Sequence, residues 1–131
     1  MAKGYLIDTN IFTLYTQGEL SEKGNELLDG ILNNFSCQIS VITRIELLSW
    51  NTDEETTNLI HEFIRLSKEF GLTEEVIIKT AEMRRSKKIK LPDAVIATTA
   101  MINDLILVSD NDTDFGKIEH LRYVNPRKLR E

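Results

Sequence analysis

Apolar positions along this chain come in two rhythms, short continuous runs and longer stripes at helical spacing, and the two alternate. Tyr5-Leu6-Ile7 is a short apolar run stopped by Asp8-Thr9-Asn10, residues that favour helix starts, and Ile11 to Tyr15 then begins a helix. Ser21 can cap a second helix to about Asn33, residues 36–42 read as a second strand, and Thr43 opens a helix toward Trp50. The clearest amphipathic stripe spans residues 53–70, where Leu59, Phe63, Leu66 and Phe70 recur with Ile60 and Ile64 beside them, and Gly71 follows at the C′ position. Thr73 caps the next helix, with Glu74 and Glu75 in its first turn, running to about Lys88. Pro92 suits the first turn of a helix reaching Asn103 that is apolar around most of its circumference and so is expected to be buried. Leu105-Ile106-Leu107-Val108 has the character of a central parallel strand, and Arg122-Tyr123-Val124 of a last edge strand. Strands alternating with helices predict a three-layer α/β/α sandwich with a mainly parallel central sheet, whose ligands bind beyond the carboxyl ends of the strands.

At 131 residues the chain has the length of one compact domain, and residues 1–131 are expected to form one. No repeat, low-complexity tract or linker interrupts it. The apolar run before Asp8 is too brief for a signal-peptide core or a membrane span, so a cytoplasmic protein without a membrane partner is expected. The single cysteine, Cys37, lies in an apolar stretch and reads as a buried, inert thiol. With only His61 and His120 besides, an ordinary zinc site is excluded and any metal must be held by oxygen. The net charge of −5 argues mildly against general nucleic-acid binding, although the distribution of charge matters more than its sum.

The carboxylates carry the candidate chemistry. Asp8 and the group Asp110, Asp112 and Asp114 follow strands, whereas Glu46 and Asp93 lie in the first turns of helices that can approach the same sheet edge. Each also has an ordinary structural role: Asp8 as a helix cap, Glu46 as the partner of Thr43 in a capping box, Asp93 as a complement to its helix dipole. Asp8 and Asp93 strain that reading, because each adjoins a strongly apolar element where a lone carboxylate is costly to desolvate. Two such acids about 5 Å apart repel by roughly 3 kcal/mol at an effective dielectric near 20, so a cluster needs compensation. Mg²⁺ and Mn²⁺ prefer carboxylate and water oxygens and activate water for attack on phosphorus.

Four blocks, Leu6-Ile7-Asp8-Thr9-Asn10, Thr43-Arg44-Ile45-Glu46-Leu47, Leu91-Pro92-Asp93-Ala94-Val95-Ile96-Ala97 and Leu107-Val108-Ser109-Asp110-Asn111-Asp112-Thr113-Asp114-Phe115, resemble in order and spacing the acidic blocks of PIN-domain nucleases. The likeness is greatest to the toxin subunits of VapC-like toxin-antitoxin pairs, which are compact RNA endonucleases. It implies that Asp8 and Asp93 are the principal metal-binding aspartates and that Glu46 completes the site. For the fourth acid it leaves Asp110, Asp112 and Asp114 in competition, with Asp114 favoured and Asp110 next. Ser109 stands where threonine is commoner in the family. A Mg²⁺- or Mn²⁺-dependent ribonuclease is therefore the expectation, with Asp8, Glu46, Asp93 and Asp114 catalytic and Asp110 a further candidate ligand.

Arg84, Arg85, Lys87, Lys88 and Lys90 crowd the stretch before Asp93 and are candidate RNA-phosphate contacts, against the plainer reading of a solvated helix end. Arg127, Lys128 and Arg130 are weaker candidates. Trp50 could stack a base but is expected to pack, and His61 and His120 lie far from every acidic block. Other functions fit parts of this pattern: a non-cleaving PIN-like module binding RNA or protein, a solitary housekeeping nuclease, or a phosphoacceptor domain, which Asp8 alone after the first strand argues against. A protein antitoxin and a homodimer remain open as partners, and the exposed edge of the 53–70 helix offers one candidate surface.

Overall fold

A computed structural model of the chain describes residues 2–130. The elements follow in the order β1 (Tyr5–Ile7), α1 (Thr9–Thr16), α2 (Glu22–Asn33), β2 (Gln38–Ser40), α3 (Val41–Leu48), α4 (Glu54–Leu66), β3 (Lys68–Phe70), α5 (Glu74–Ser86), α6 (Leu91–Ile102), β4 (Ile106–Val108), α7 (Asp112–Phe115) and β5 (Tyr123–Val124). Every strand pairing is parallel. β4 lies between β1 and β5, with Tyr5 opposite Ile106 and Leu107 opposite Tyr123, while β2 pairs with β3. β1 and β2 run side by side, and the Gln38 side-chain amide donates to the Tyr5 carbonyl at 3.2 Å, tying the two ladders together.

Alternation along the strands divides the core into two layers. Leu6 and Leu107 face α5, α6 and α7, where Met83, Ala94, Ala97, Ala100 and Phe115 are buried against them. Their neighbours Ile7 and Val108 face the other way, toward Ile11 of α1 and Leu28 and Ile31 of α2. The strands are apolar on both faces because both faces are covered, which is the three-layer sandwich expected from the sequence. A satellite cluster of Phe12, Leu47 and Ile60 joins α1, α3 and α4. Trp50 packs edge-on against Phe12 there, with ring centroids 6.1 Å apart, in agreement with a packing role. Among the described residues, no helix is long and apolar enough to cross a membrane.

Two local expectations are corrected. The 53–70 helix ends at Leu66, because Ser67 turns to an extended conformation with ψ 144° and its hydroxyl donates back to the Phe63 carbonyl at 2.7 Å. The Lys68 N–H then donates to the Cys37 carbonyl at 2.9 Å, and residues 68–70 become β3, covering what would otherwise be a bare edge of β2. Gly71 therefore ends no helix. The helix expected to open at Thr43 starts instead at Val41, capped by Ser40, whose Oγ accepts from the Ile42 N–H at 3.1 Å. Thr43 and Glu46 consequently form no capping box, and both side chains are released for other contacts.

The C-terminal tail docks on the N-terminus of α2. Ser21 donates to the Pro126 carbonyl from both its N–H (3.0 Å) and its hydroxyl (2.9 Å), and a Cβ on Gly24 would meet that same carbonyl oxygen at 1.9 Å. Gly30, in the same helix, has nothing within 4 Å of the equivalent position. Alanine at a helix interior ordinarily gains about 0.5–1 kcal/mol over glycine. Gly30→Ala should therefore stabilise the protein by about that amount. Gly24→Ala should reverse the sign and destabilise it by about 1–3 kcal/mol as the tail is pushed off. Urea denaturation of the two variants checks the contrast; equal effects would show that the tail does not hold α2.

Candidate active site

Both ladders of the central strand continue past the last strand residues, the Asp8 N–H donating to the Val108 carbonyl between β1 and β4 and the Ser109 N–H to the Val124 carbonyl between β4 and β5, each at 3.0 Å. Asp8 and Ser109 thus stand side by side at the carboxyl edge of the sheet. Ser109 Oγ donates to Asp8 Oδ2 at 2.8 Å, and the Thr9 N–H donates to Asp8 Oδ1 at 2.9 Å, so Asp8 does cap α1. A cap normally sits in water, however, whereas Asp8 is only 5% exposed. Burial pushes its carboxyl up to about 6 against the pull of those two hydrogen bonds, and the charges of Asp93 and Glu46 add to the rise.

Glu46 reaches the same edge from the second turn of α3. Its Oε1 lies 2.5 Å from Thr9 Oγ1, which is also 3.0 Å from Thr43 Oγ1. A hydroxyl has one proton, so Thr9 gives it to the carboxylate and can accept from Thr43. Asp93 enters from the first turn of α6, next to Pro92 and above the buried stripe of Ala94, Ile96 and Ala97. Burial raises its carboxyl, the charges of Asp114 and Glu46 and direct contact with Asp114 raise it further, and Lys90 pulls it back.

The three loop aspartates are sorted by their partners. Asp114 faces Asp93 and is held by Asn111, whose Nδ2 donates to Asp114 Oδ2 at 3.0 Å and whose Oδ1 accepts from the Asp114 N–H at 3.1 Å. Asp110 turns to Arg127 at 3.7 Å, and Asp112 to Tyr123, Asn125 and Lys128. The arrangement thus brings Asp8, Glu46, Asp93 and Asp114 around one crevice and directs Asp110 and Asp112 toward the tail.

The basic stretch is dispersed. Lys90 alone among its members acts on an acid of the crevice. Arg84 Nε donates to the nearby Ile89 carbonyl at 3.2 Å, Arg85 borders an apolar groove with Leu72, Ile77 and Leu91, and Lys87 lines a cavity between α5 and α6 with Lys79 and His120. Lys117, outside that stretch, donates from Nζ to the Lys88 carbonyl at 2.9 Å and lies 3.7 Å from Asp114. Thr9, Thr43 and Ser109 were legible only as neighbours of acids. Their hydroxyl roles depend on which strand ends meet.

The donors around the crevice are all oxygens: four carboxylates and three hydroxyls. Such a set fits a hard divalent cation such as Mg²⁺ or Mn²⁺ and no thiolate- or imidazole-seeking metal. Among the described residues no three carboxylate, imidazole or thiol side chains converge into a finished ligand cage, and the acids instead influence one another in pairs across the crevice.

An α/β/α sandwich with an acid-lined crevice at the carboxyl edge of a parallel sheet is the class that fold and site define. Within that class the chain belongs to the PIN domain family, whose model matches residues 5–121. Solved structures with the same fold include DNA-bound VapBC from Salmonella typhimurium, with 24% identity over 95% of this chain and 98% of that one at a TM-score of 0.75. A toxin-antitoxin complex from Klebsiella pneumoniae gives 23% identity over 95% and 99% at a TM-score of 0.73. DNA-bound VapBC2 from Rickettsia felis gives 19% over 93% and 98% at 0.75. At such identities the likeness is one of fold. No curated protein sequence matches the chain significantly.

The buried Asp8 makes a prediction about stability. Its folded pKa, about 6, lies above the ordinary value of 3.8, so the native state holds the proton more tightly than the unfolded chain. The penalty is absent below about pH 3.8, accumulates as pH rises to about 6, and is complete above that. Asp8→Asn keeps the acceptor for Thr9 and removes the charge. In chelator-treated protein it should therefore stabilise by on the order of 2–3 kcal/mol at pH 7, and by little near pH 4. Denaturation across that range is the measurement, and a variant that is less stable at pH 7 would show Asp8 to be only a cap.

Proposed function

We propose that this protein is a Mg²⁺- or Mn²⁺-dependent endoribonuclease and the toxin member of a toxin-antitoxin pair. The observation that carries the reading is the convergence of Asp8, Glu46, Asp93 and Asp114, with Asp8 buried and the carboxyls of Asp8 and Asp93 both raised above their usual range, at the edge where α/β sheets bind ligands. Membership of the PIN domain family supports nuclease chemistry, and the fold shared with toxin-antitoxin complexes supports the biological role. An apolar groove between α1, α2 and α4, lined by Ile11, Phe12, Tyr15, Leu59, Phe63 and Leu66, would seat an apolar segment of a protein partner.

Asp8 and Asp93 would hold the cation, with Glu46 and Asp114 completing its surroundings. When bound, a divalent ion supplies Lewis-acid activation of water and of the phosphoryl oxygens. The protein's own part is orientation and proton transfer. Ser109 and the Thr9 N–H fix both oxygens of Asp8, so that carboxylate cannot rotate away from the crevice. Thr9 fixes Glu46 through Oε1 and leaves Oε2 to take the proton of the attacking water. Lys90 and Lys117 lie near Asp93 and Asp114 and would meet phosphates of the bound strand.

Cleavage of a fluorescent single-stranded RNA should require Mg²⁺ or Mn²⁺, and Asp93→Asn should lower it by about a hundredfold or more, equivalent to roughly 3 kcal/mol of barrier. Undiminished turnover in excess EDTA, or a fully active Asp93→Asn protein, overturns the nuclease reading.

The placement of the cations gives a second outcome. Lys90→Glu should weaken RNA binding and reduce the slope of log affinity against log salt by about 0.7, the loss of one single-strand phosphate contact. Arg85→Glu should change neither, since Arg85 faces the groove on α5. Equal effects of the two substitutions would return the whole basic stretch to general electrostatic attraction.

A further inference from the structure

Asp112 is the most heavily partnered carboxylate among the described residues, and the proposed reaction gives it nothing to do. Tyr123 Oη donates to its Oδ1 at 2.9 Å, Asn125 Nδ2 approaches both its oxygens at 3.2 Å, and Lys128 Nζ donates to Oδ2 at 2.6 Å. All three donors belong to β5 and the tail beyond it, and that tail is anchored independently on Ser21 of α2. These bonds hold the Asp112 carboxyl below its usual range, with Lys128 the largest cause. Backbone packing is tight at the same place: the Gly116 N–H donates to the Asp112 carbonyl at 2.9 Å, and a Cβ on Gly116 would lie 2.5 Å from that oxygen.

Asp112 opens α7, and Asp114 lies two residues later in the same single turn. The other end of the loop is tied to the crevice, since Ser109 Oγ accepts from the Asn111 N–H at 3.0 Å while donating to Asp8. A four-residue helix has too few internal hydrogen bonds to hold its own orientation. Its direction is therefore set from outside, by the burial of Phe115 in the core and by what grips its ends.

We infer that Asp112 is a positioning residue: the C-terminal tail, gripping its carboxylate, turns α7 so that Asp114 faces Asp93. The inference rests on the reading of the crevice as a divalent-cation site only for its consequence, not for the positioning itself. Supporting groups around a metal site typically alter affinity by about 10–100-fold when removed. Loss of the grip should act through Asp114 and through no other acid.

Two measurements test this on the full-length protein. In chelator-treated protein, amide hydrogen exchange at Asp114, Phe115 and Gly116 should accelerate at least tenfold in Asp112→Ala, and by less in Tyr123→Phe, which removes one hydroxyl from a strand that otherwise stays paired. Unchanged exchange in both variants overturns the positioning role. With Mn²⁺ as the probe, followed by electron paramagnetic resonance, Asp112→Ala should weaken binding about tenfold in the wild-type background and have no further effect in Asp114→Asn. Wild-type Mn²⁺ affinity in Asp112→Ala, or equal weakening in both backgrounds, overturns the action through Asp114. Absence of Mn²⁺ binding by the unsubstituted protein would sink the nuclease reading instead, and the exchange result would still decide whether the tail positions α7. Should Asp112→Ala fail to fold, Tyr123→Phe and Lys128→Ala carry the same comparison, and no change in either overturns it.

Discussion

A buried carboxylate at the end of the first strand is the constraint on which the rest of this structure turns. Asp8 is drawn inward because the ladder between β1 and β4 does not stop at Ile7: its own N–H continues the pairing to Val108. Once there, its side chain can find only Ser109 and the Thr9 N–H as donors. Two hydrogen bonds do not replace the hydration of an ionised carboxylate, and the nearby Asp93 and Glu46 make its charge less favourable still. The unfavourable arrangement persists because the surrounding layers are held by contacts that do not depend on it. Leu6 and Leu107 are locked on one side of the sheet, and Ile7 and Val108 on the other. Strain of this kind is held by a rigid frame, and it is what would make a cation at this edge a net gain.

The same constraint explains why acids of one short loop have different fates. Residues 109–114 contain three aspartates, and the sequence leaves them in competition, with Asp114 favoured and Asp110 next. The loop is pulled from two directions, by Asp8 through Ser109 and by the tail through Asp112 and Asp110. Asp110 meets Arg127, and Asp112 meets Lys128, Asn125 and Tyr123. Asp114 meets another acid, Asp93, and a single lysine at 3.7 Å. The distinction between a structural and a candidate functional carboxylate is thus a matter of partners, which are set by strand order and tail docking.

What was legible in the sequence follows from how local each signal is. The strands at residues 5–7 and 106–108, the cap at Asp8, the buried helix after Pro92 and the layer architecture all rest on runs or periodicities within a dozen residues, and each is present. β3 was hidden because Phe70 falls seven residues after Phe63 and so extends the helical stripe in phase. The decisive event there is the long-range bond from Lys68 to Cys37, which no local pattern encodes. Thr43 and Glu46 matched a capping box in spacing, but Ser40 captured the helix start three residues earlier and left both side chains free to meet Thr9 from another element. The grouping of Glu46 with Asp8, like the roles of Thr9 and Ser109, depends on contacts spanning 34 to 101 residues in sequence. Composition and spacing can nominate such residues only as neighbours of something else.

Charge distribution ties these strands of argument to the proposed function. With a net charge of −5 and four carboxylates around the crevice, the bare surface repels a phosphate backbone at the very place where it would be cut. Screening at physiological ionic strength falls off over about 8 Å, so distant lysines on α5 can do little for a phosphate lying over Asp8 and Asp93. Lys90 and Lys117, the lysines that act on Asp93 and Asp114, are too few to reverse the sign of the crevice. Under the nuclease reading, neutralisation of the carboxylates by a divalent cation must therefore precede or accompany the approach of RNA, and the two affinities are linked: whatever strengthens the one strengthens the other by the same factor. A chain with an acidic surface and few cations near its site would then discriminate against polyanions in the absence of the ion. The net negative charge, which at first argues against nucleic-acid binding, is under that reading what would make RNA binding depend on the metal.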